Sequence, residues 1–119
     1  MTRSYLSTHV LDTSRGMPAA GIPVELHFLS DGQRRLLATS ITNADGRTDA
    51  PLLAVERLEV GVYELTFRTR EYLSRSGAAL TDPPFLDEVV VRVGVAEPTG
   101  HYHVPMLLSP YGYSVYRGS

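Results

Sequence analysis

The sequence predicts an all-β fold, a sandwich of two sheets with about eight strands and one short helix. Short stretches in which apolar and polar residues alternate recur throughout the 119 residues, and such alternation is typical of strands with one buried face. Turn-forming pairs such as Asp31-Gly32 and Pro83-Pro84 separate these stretches, as expected for a β-sandwich. This length allows one hydrophobic core, so we expect a single domain over residues 1–119.

Three strands are predicted in the first part of the chain, at residues 6–11, 22–29 and 35–42. Residues 12–18 form the loop between the first two strands. The apolar side chains that face inward from the second strand are Val24, Leu26 and Phe28. Because successive strand residues point to opposite faces, Glu25 and His27 face outward. The third strand follows the tight turn at Asp31-Gly32.

The second part begins with a turn at residues 43–46, and residues 47–51 are predicted to form a short fourth strand. Longer strands are predicted at residues 61–69, 87–95, 101–108 and 113–116. The first of these longer strands places three apolar side chains on one face: Tyr63, Leu65 and Phe67. Residues 71–75 have the composition most favourable for a helix, which Gly77 would end.

Composition argues against several classes of function. The net charge of −2, with scattered charges, gives no basis for binding nucleic acid or an acidic membrane. Without cysteine the chain has no disulfides and no thiolate sites, which fits a reducing compartment. The sequence shows neither a signal-peptide pattern nor an apolar run of membrane-spanning length. We therefore expect a soluble cytoplasmic protein.

Two of the four histidines, His101 and His103, lie close together near the C-terminus. In a strand they share a face, roughly 7 Å apart. Such a pair can act as a base and its orienting partner, or as two metal ligands, since imidazole exchanges protons near neutral pH. The alternative is a solvated histidine on a sheet edge. Pro105 restricts the backbone after His103, whereas His101 follows a loop and is expected to be the more exposed of the two.

A third histidine, His9, lies in the middle of the first predicted strand and shares a face with Ser7 and Leu11. It is either a buried histidine with a structural role or a third member of a site with His103. Three histidines raise the possibility of zinc. However, the sequence has no His-x-x-x-His spacing and no neighbouring carboxylate cluster, so we expect no metal and no cofactor.

Arg47 and the C-terminal residues are the remaining candidates. Arg47 follows the turn at Asp45-Gly46 and is either a surface charge or a clamp for an anion, because guanidinium offers forked donors with a permanent charge. The chain ends in Tyr116, Arg117, Gly118 and Ser119. A frayed tail is the alternative for this end, but it follows β-forming aromatic residues.

Several of these segments together resemble a known family. They are residues 6–12 (LSTHVLD), 42–48 (TNADGRT), 101–114 (HYHVPMLLSPYGYS) and 116–119 (YRGS). The chain resembles the transthyretin-related proteins over nearly its whole length. The terminal tetrapeptide is similar to the one that marks the 5-hydroxyisourate hydrolases of this family, as opposed to transthyretin, the hormone carrier.

The resemblance implies a transthyretin-like sandwich that assembles as a homotetramer, a dimer of dimers, with active sites in the channel between dimers. It places the catalytic groups at His9, Arg47 and His103, and it adds Tyr116 and Ser119 to His9 and Arg47 as substrate contacts. His101 is not carried over. Met106 and Val115 depart from the family pattern, but both changes conserve volume.

The implied reaction is the hydrolytic opening of 5-hydroxyisourate without a metal. His103, supported by His9, would deprotonate the attacking water, although the sequence leaves open which of the two is the base. Arg47 would stabilise the developing oxyanion. The alternatives are a transthyretin-like carrier of an aromatic ligand, a structural or adhesive sandwich module, and a zinc hydrolase.

Overall fold

Two β-sheets face each other across an apolar core in the computed structural model, which describes residues 3–119. The strands of this part of the chain are β1 (Ser4–Asp12), β2 (Met17–Pro18), β3 (Pro23–Ser30), β4 (Gln33–Ile41), β5 (Leu53–Val55), β6 (Gly61–Phe67), β7 (Val89–Val95), β8 (His101–Ser109) and β9 (Gly112–Val115). Its helix is α1 (Thr69–Arg75). Sheet I has the order β2-β1-β8-β9, with β5 also paired to β1, and sheet II has the order β4-β3-β6-β7. The predicted all-β sandwich with one short helix is confirmed.

Alternation of side chains builds the core. In β1 every second residue is buried and those between are half-buried. The predicted inward residues of β3 and β6 are buried: Val24, Leu26, Phe28, Tyr63, Leu65 and Phe67. These side chains meet apolar residues of sheet I such as Leu6, Val10 and Met106, which are fully buried. The inner faces of the two sheets are therefore inaccessible to solvent. A functional site on the sheets must lie on their outer faces.

The structure corrects three details. Residues 47–51 do not form a strand: Arg47 makes a single bridge to His9, and β5 begins only at Leu53, beyond Pro51, whose nitrogen cannot donate a hydrogen bond. The predicted loop at residues 12–18 contains β2, which pairs with the end of β1. The helix begins at Thr69, so the strand before it ends at Phe67.

His27 is nearly buried although it lies on the outer face of sheet II. It shares a face with Glu64, its partner across β3 and β6, but it is only 9% exposed. The Arg34 guanidinium lies 3.5 Å from its Nδ1, and Arg34 also pairs with Glu64. His27 therefore faces outward from β3, as predicted, and is covered there by its charged neighbours.

One strand pairing determines where the candidate residues lie. β1 and β8 run parallel in the middle of sheet I, with Ser7 opposite His103 and His9 opposite Pro105. Because the neighbouring positions in both strands face the core, Ser7, His9 and His103 lie on the outer face of sheet I. No helix within residues 3–119 has both the length and the apolar character needed to span a bilayer.

Candidate functional site

The outer face of sheet I brings together three of the residues singled out in the sequence, His9, Arg47 and His103, together with Ser7. We call these four residues the histidine cluster. Strand β1 supplies Ser7 and His9, β8 supplies His103, and the turn that bridges to His9 supplies Arg47. The cluster joins side chains that are up to 96 residues apart in sequence.

His103 is held along both edges of its ring. On one edge, Nδ1 lies 2.8 Å from Oγ of Ser7. On the other, a Cβ on Gly118 would come within 2.6 Å of Cδ2 of His103, so only a glycine allows the chain to pass this close. The imidazole is half-buried, and its rotamer is fixed by its two neighbours.

The environment of His103 favours its neutral form. Burial lowers the pKa of this imidazole, and the positive charges of Arg47 and His9 lower it further. Because like charges disfavour the imidazolium, His103 keeps a free lone pair at neutral pH. A neutral imidazole can act as a general base, and a neighbouring permanent cation can stabilise an oxyanion.

His9 is held by the turn that carries Arg47. Its Nε2 lies 2.8 Å from the carbonyl oxygen of Asp45. A carbonyl only accepts hydrogen bonds, so Nε2 of His9 must carry the hydrogen. The neutral form of His9 then has its lone pair on Nδ1.

The turn at residues 43–46, predicted from the sequence, fixes the backbone of Arg47. Oδ1 of Asn43 accepts hydrogen bonds from the backbone N–H groups of Asp45 and Arg47 at 2.9 and 3.2 Å. Gly46 has φ +76°, and a Cβ there would overlap the carbonyl oxygen of Val10. The Arg47 side chain itself is exposed and makes no hydrogen bond or ion pair with residues 3–119. Its guanidinium donors are therefore free for a ligand.

The C-terminal residues run beside His103. The Gly118 N–H donates to the His103 carbonyl at 2.8 Å, and the guanidinium of Arg117 lies 4.3 Å from the centre of the Tyr102 ring. The Tyr116 N–H donates to the Pro105 carbonyl at 3.4 Å. These contacts hold the tail against β8, while the side chain of Tyr116 is 56% exposed.

Only some of the candidate residues line the groove beside the C-terminal tail. A groove of about 420 Å³ contains His103, Tyr116 and Arg117 among its lining residues, but neither His9 nor Arg47. Ser119 is exposed beyond the bridge at Gly118. The structure thus brings His9, Arg47 and His103 onto one open surface and places the tail at its border.

The remaining questions are the position of His101 and the possibility of a metal site. His101 is exposed, and its ring packs edge-on against Tyr5 with 4.7 Å between ring centres. Within residues 3–119 there is no group of three or more His, Cys, Asp or Glu side chains that could hold a metal ion.

Comparison with known proteins adds the family. Residues 6–118 match the model of the HIUase/Transthyretin family. The chain belongs to this family. The curated 5-hydroxyisourate hydrolase of Mesorhizobium japonicum is 54% identical over 114 residues, which cover 96% of this chain and 91% of that protein.

Solved structures of the family resemble the fold closely. The 5-hydroxyisourate hydrolase of Klebsiella pneumoniae is 38% identical, with a TM-score of 0.79 over 98% of this chain and 99% of that one. Transthyretin from Sparus aurata is 29% identical, with a TM-score of 0.82 over 95% of each chain. Both branches of the family therefore share this sandwich, and the side chains of the site must distinguish them.

Sequence reasoning missed two groups that hold the histidines of this family member, the Ser7 hydroxyl and the Asp45 carbonyl. The alternation of β1 places Ser7 on the same face as His9, and this signal was visible in the sequence. Its contact with His103 was not visible, because it depends on the register between two parallel strands. A contact with a backbone carbonyl, such as that of Asp45, cannot be predicted from residue types because every residue has a carbonyl.

Proposed function

We propose that this chain is a 5-hydroxyisourate hydrolase that opens the six-membered ring of its substrate to give 2-oxo-4-hydroxy-4-carboxy-5-ureidoimidazoline, in the degradation of urate. Similarity to curated hydrolases over 96% of the chain supports this function. The structural observation that carries it is the placement of His103, held by Ser7, on the same sheet face as His9 and beside the turn that carries Arg47. A hydrolase needs this arrangement to take a proton from water at neutral pH.

In the proposed reaction, the oxygen of a water molecule attacks a ring carbonyl carbon while His103 takes one of its protons. The carbonyl oxygen becomes negative, and the guanidinium of Arg47 stabilises that charge. The carbon–nitrogen bond of the ring then breaks, and the nitrogen receives the proton from His103. His9 supports His103 and contacts the substrate. No metal and no cofactor takes part in these steps.

We place the complete site between subunits. The histidine cluster lies on an open sheet face, and the groove beside it holds Tyr116 of the same tail. Two copies that face each other across sheet I would enclose the substrate, with Tyr116 and Ser119 at the wall. The proposed assembly is a homotetramer, a dimer of dimers of single-domain subunits spanning residues 1–119. We propose a cytoplasmic location, which the absence of cysteine fits.

A carrier function of the transthyretin type is the second candidate, because the transthyretin structure matches the fold as well as the hydrolase structure does. A carrier channel for an aromatic ligand favours apolar walls. In this chain the corresponding face carries two imidazoles and a guanidinium that forms no ion pair with residues 3–119. This polar lining favours catalysis over storage of a ligand.

The test follows the absorbance of freshly generated 5-hydroxyisourate with and without the protein. We expect the protein to accelerate the decay by orders of magnitude over the spontaneous reaction. Incubation with thyroid hormone serves as the parallel test of the carrier function. Tight hormone binding together with an unchanged decay rate would overturn the proposed hydrolase.

A further inference from the structure

Ser7 is the one member of the histidine cluster to which the proposed reaction assigns no role. Ser7 and His103 lie opposite each other in the parallel pair of β1 and β8, with 2.8 Å between Oγ and Nδ1. Both residues are half-buried, so the contact is partly shielded from water. A hydrogen bond in such a place has more influence on its partner than one on an open surface.

The contact with Ser7 determines which edge of the imidazole can reach a ligand. Nδ1 and Cδ2 are the ring atoms bonded to Cγ, and both are occupied: Nδ1 by Ser7, and Cδ2 by the backbone of Gly118. The distal edge, formed by Cε1 and Nε2, is the edge that remains. Nε2 is therefore the ring nitrogen that His103 presents to the outer face of sheet I.

A neutral imidazole carries one hydrogen, on either Nδ1 or Nε2. The Ser7 hydroxyl is compatible with both tautomers, because it can donate or accept. Only the tautomer with its hydrogen on Nδ1 leaves a lone pair on Nε2, where a water molecule can be deprotonated. In that tautomer Ser7 accepts the hydrogen bond from Nδ1–H.

We infer that Ser7 is a positioning residue whose hydroxyl accepts a hydrogen bond from Nδ1–H of His103 and so directs the lone pair of Nε2 toward the substrate. The inference rests on the proposed function, and it assigns the base to Nε2 of His103. When water attacks, its oxygen bonds to the carbonyl carbon and its proton moves to Nε2. The bond between Nδ1–H and Ser7 persists through this step, so the hydroxyl keeps its orientation.

His9 is held by a different kind of partner, which supports this division of roles. Its Nε2–H donates to the Asp45 carbonyl, a bond that fixes the hydrogen on Nε2 and ties the ring to the turn that carries Arg47. His103 has a hydroxyl as its partner and presents its distal nitrogen to the site. In its neutral form His9 thus carries its hydrogen on Nε2, whereas the inference places that of His103 on Nδ1.

The test compares Ser7→Ala and Ser7→Thr with Ser74→Ala, a control in which an exposed serine on α1 is replaced. We expect kcat for Ser7→Ala to fall about threefold to tenfold, the effect of losing one neutral hydrogen bond, with little change in KM. Ser7→Thr keeps the hydroxyl and suits a strand, so it should retain most of the activity. The control should match the wild type.

A spectroscopic measurement separates positioning from a merely structural role. Long-range proton–nitrogen NMR spectra, with the His103 signals assigned by comparison with His103→Ala, should show the Nδ1–H tautomer in the wild type and a mixture of tautomers in Ser7→Ala. A wild-type His103 with its hydrogen on Nε2 would overturn the inference. So would a Ser7→Ala variant with unchanged tautomer, whatever its kcat, or a lost activity that Ser7→Thr does not restore. The spectra need no turnover, so a wild-type protein that fails to hydrolyse 5-hydroxyisourate would refute the proposed function and leave the role of Ser7 to be decided by NMR.

Discussion

The behaviour of His103 follows from its three neighbours: Ser7 holds its ring, and Arg47 and His9 disfavour its charged form. Burial and these two positive charges lower the pKa of His103 below its ordinary value of 6.5. If His103 is the base, it acts only when it is unprotonated. We therefore expect kcat/KM to be constant near neutral pH and to fall in acid, with a midpoint below pH 6.5. A pH profile with its acid midpoint above 6.5 would contradict this environment.

Removal of the Arg47 charge should move the titration of His103 in a known direction. In Arg47→Ala one of the positive charges that disfavour the imidazolium is gone, so the pKa of His103 should rise toward its ordinary value. An NMR titration of the His103 ring protons measures this. Arg70→Ala is the matched control, because Arg70 forms an ion pair with Asp87 and is not part of the histidine cluster. An Arg47→Ala titration identical to that of the control would show that Arg47 lies too far from His103 to act on it.

At the scale of elements, helix α1 is tied to the end of β1 through Tyr72 and Asp12. The buried Oδ2 of Asp12 accepts a hydrogen bond from the Tyr72 hydroxyl at 2.6 Å, while its Oδ1 accepts from Ser14 and Arg15. Tyr72→Phe should lower the free energy of unfolding by about 1.5–3 kcal/mol, the usual contribution of a hydrogen bond to a charged group. Urea denaturation measures this. Tyr113→Phe, at a tyrosine that is 47% exposed, should leave the midpoint unchanged.

The Asp12 carboxylate also makes the free energy of unfolding depend on pH in the acid range. Burial alone would raise the pKa of Asp12, but hydrogen bonds from Ser14, Tyr72 and Arg15 outweigh it and lower the pKa below 3.8. The ionised form is thus favoured by folding. Its contribution to stability is complete above pH 3.8 and is lost as the pH falls through the lowered value. Denaturation of Tyr72→Phe across this range should show a weaker acid dependence than that of the wild type.

The C-terminal segment lies against His103 and contributes little to the core. Gly118→Ala would place a methyl group within 2.6 Å of Cδ2 of His103 and 3.0 Å of Cγ of Pro105. The tail or the imidazole must then move, so we expect a clear loss of kcat. The melting temperature should change little, since residues 116–119 lie outside the buried core. Full activity in Gly118→Ala would show that the tail does not hold His103.

The strands were largely predictable because each one shows its alternation locally, as in β3 and β6. The short elements were not. β2 has only two residues and exists because it pairs with the end of β1, which no local pattern reveals. The failure at residues 47–51 has a similar cause, since Arg47 extends only far enough to bridge to His9 before the chain bends away.

At the scale of the whole molecule, the site exists because the first and eighth strands pair in parallel at the centre of sheet I. Alternation within β1 and β8 predicts the outer faces that carry His9 and His103, but not that these faces adjoin. The resemblance to the family predicted that His9 and His103 lie close together, and it assigned a role to Arg47. It did not supply Ser7, whose contact with His103 depends on the register of the two strands.

Assembly is the prediction that belongs to this scale. If the substrate is enclosed between copies of sheet I, the active protein should be a tetramer of about four times the 13.1 kDa chain. Light scattering coupled to size-exclusion chromatography measures this mass. A monomer with full activity would show that a single outer face suffices.

The most direct measurement is the turnover of freshly generated 5-hydroxyisourate by His103→Ala beside the wild type, with both proteins shown to have the same mass in solution. If His103 removes the proton from water, turnover should fall by about a hundredfold or more while the assembly persists. An equal rate in the two proteins would contradict the assignment of His103 as the base.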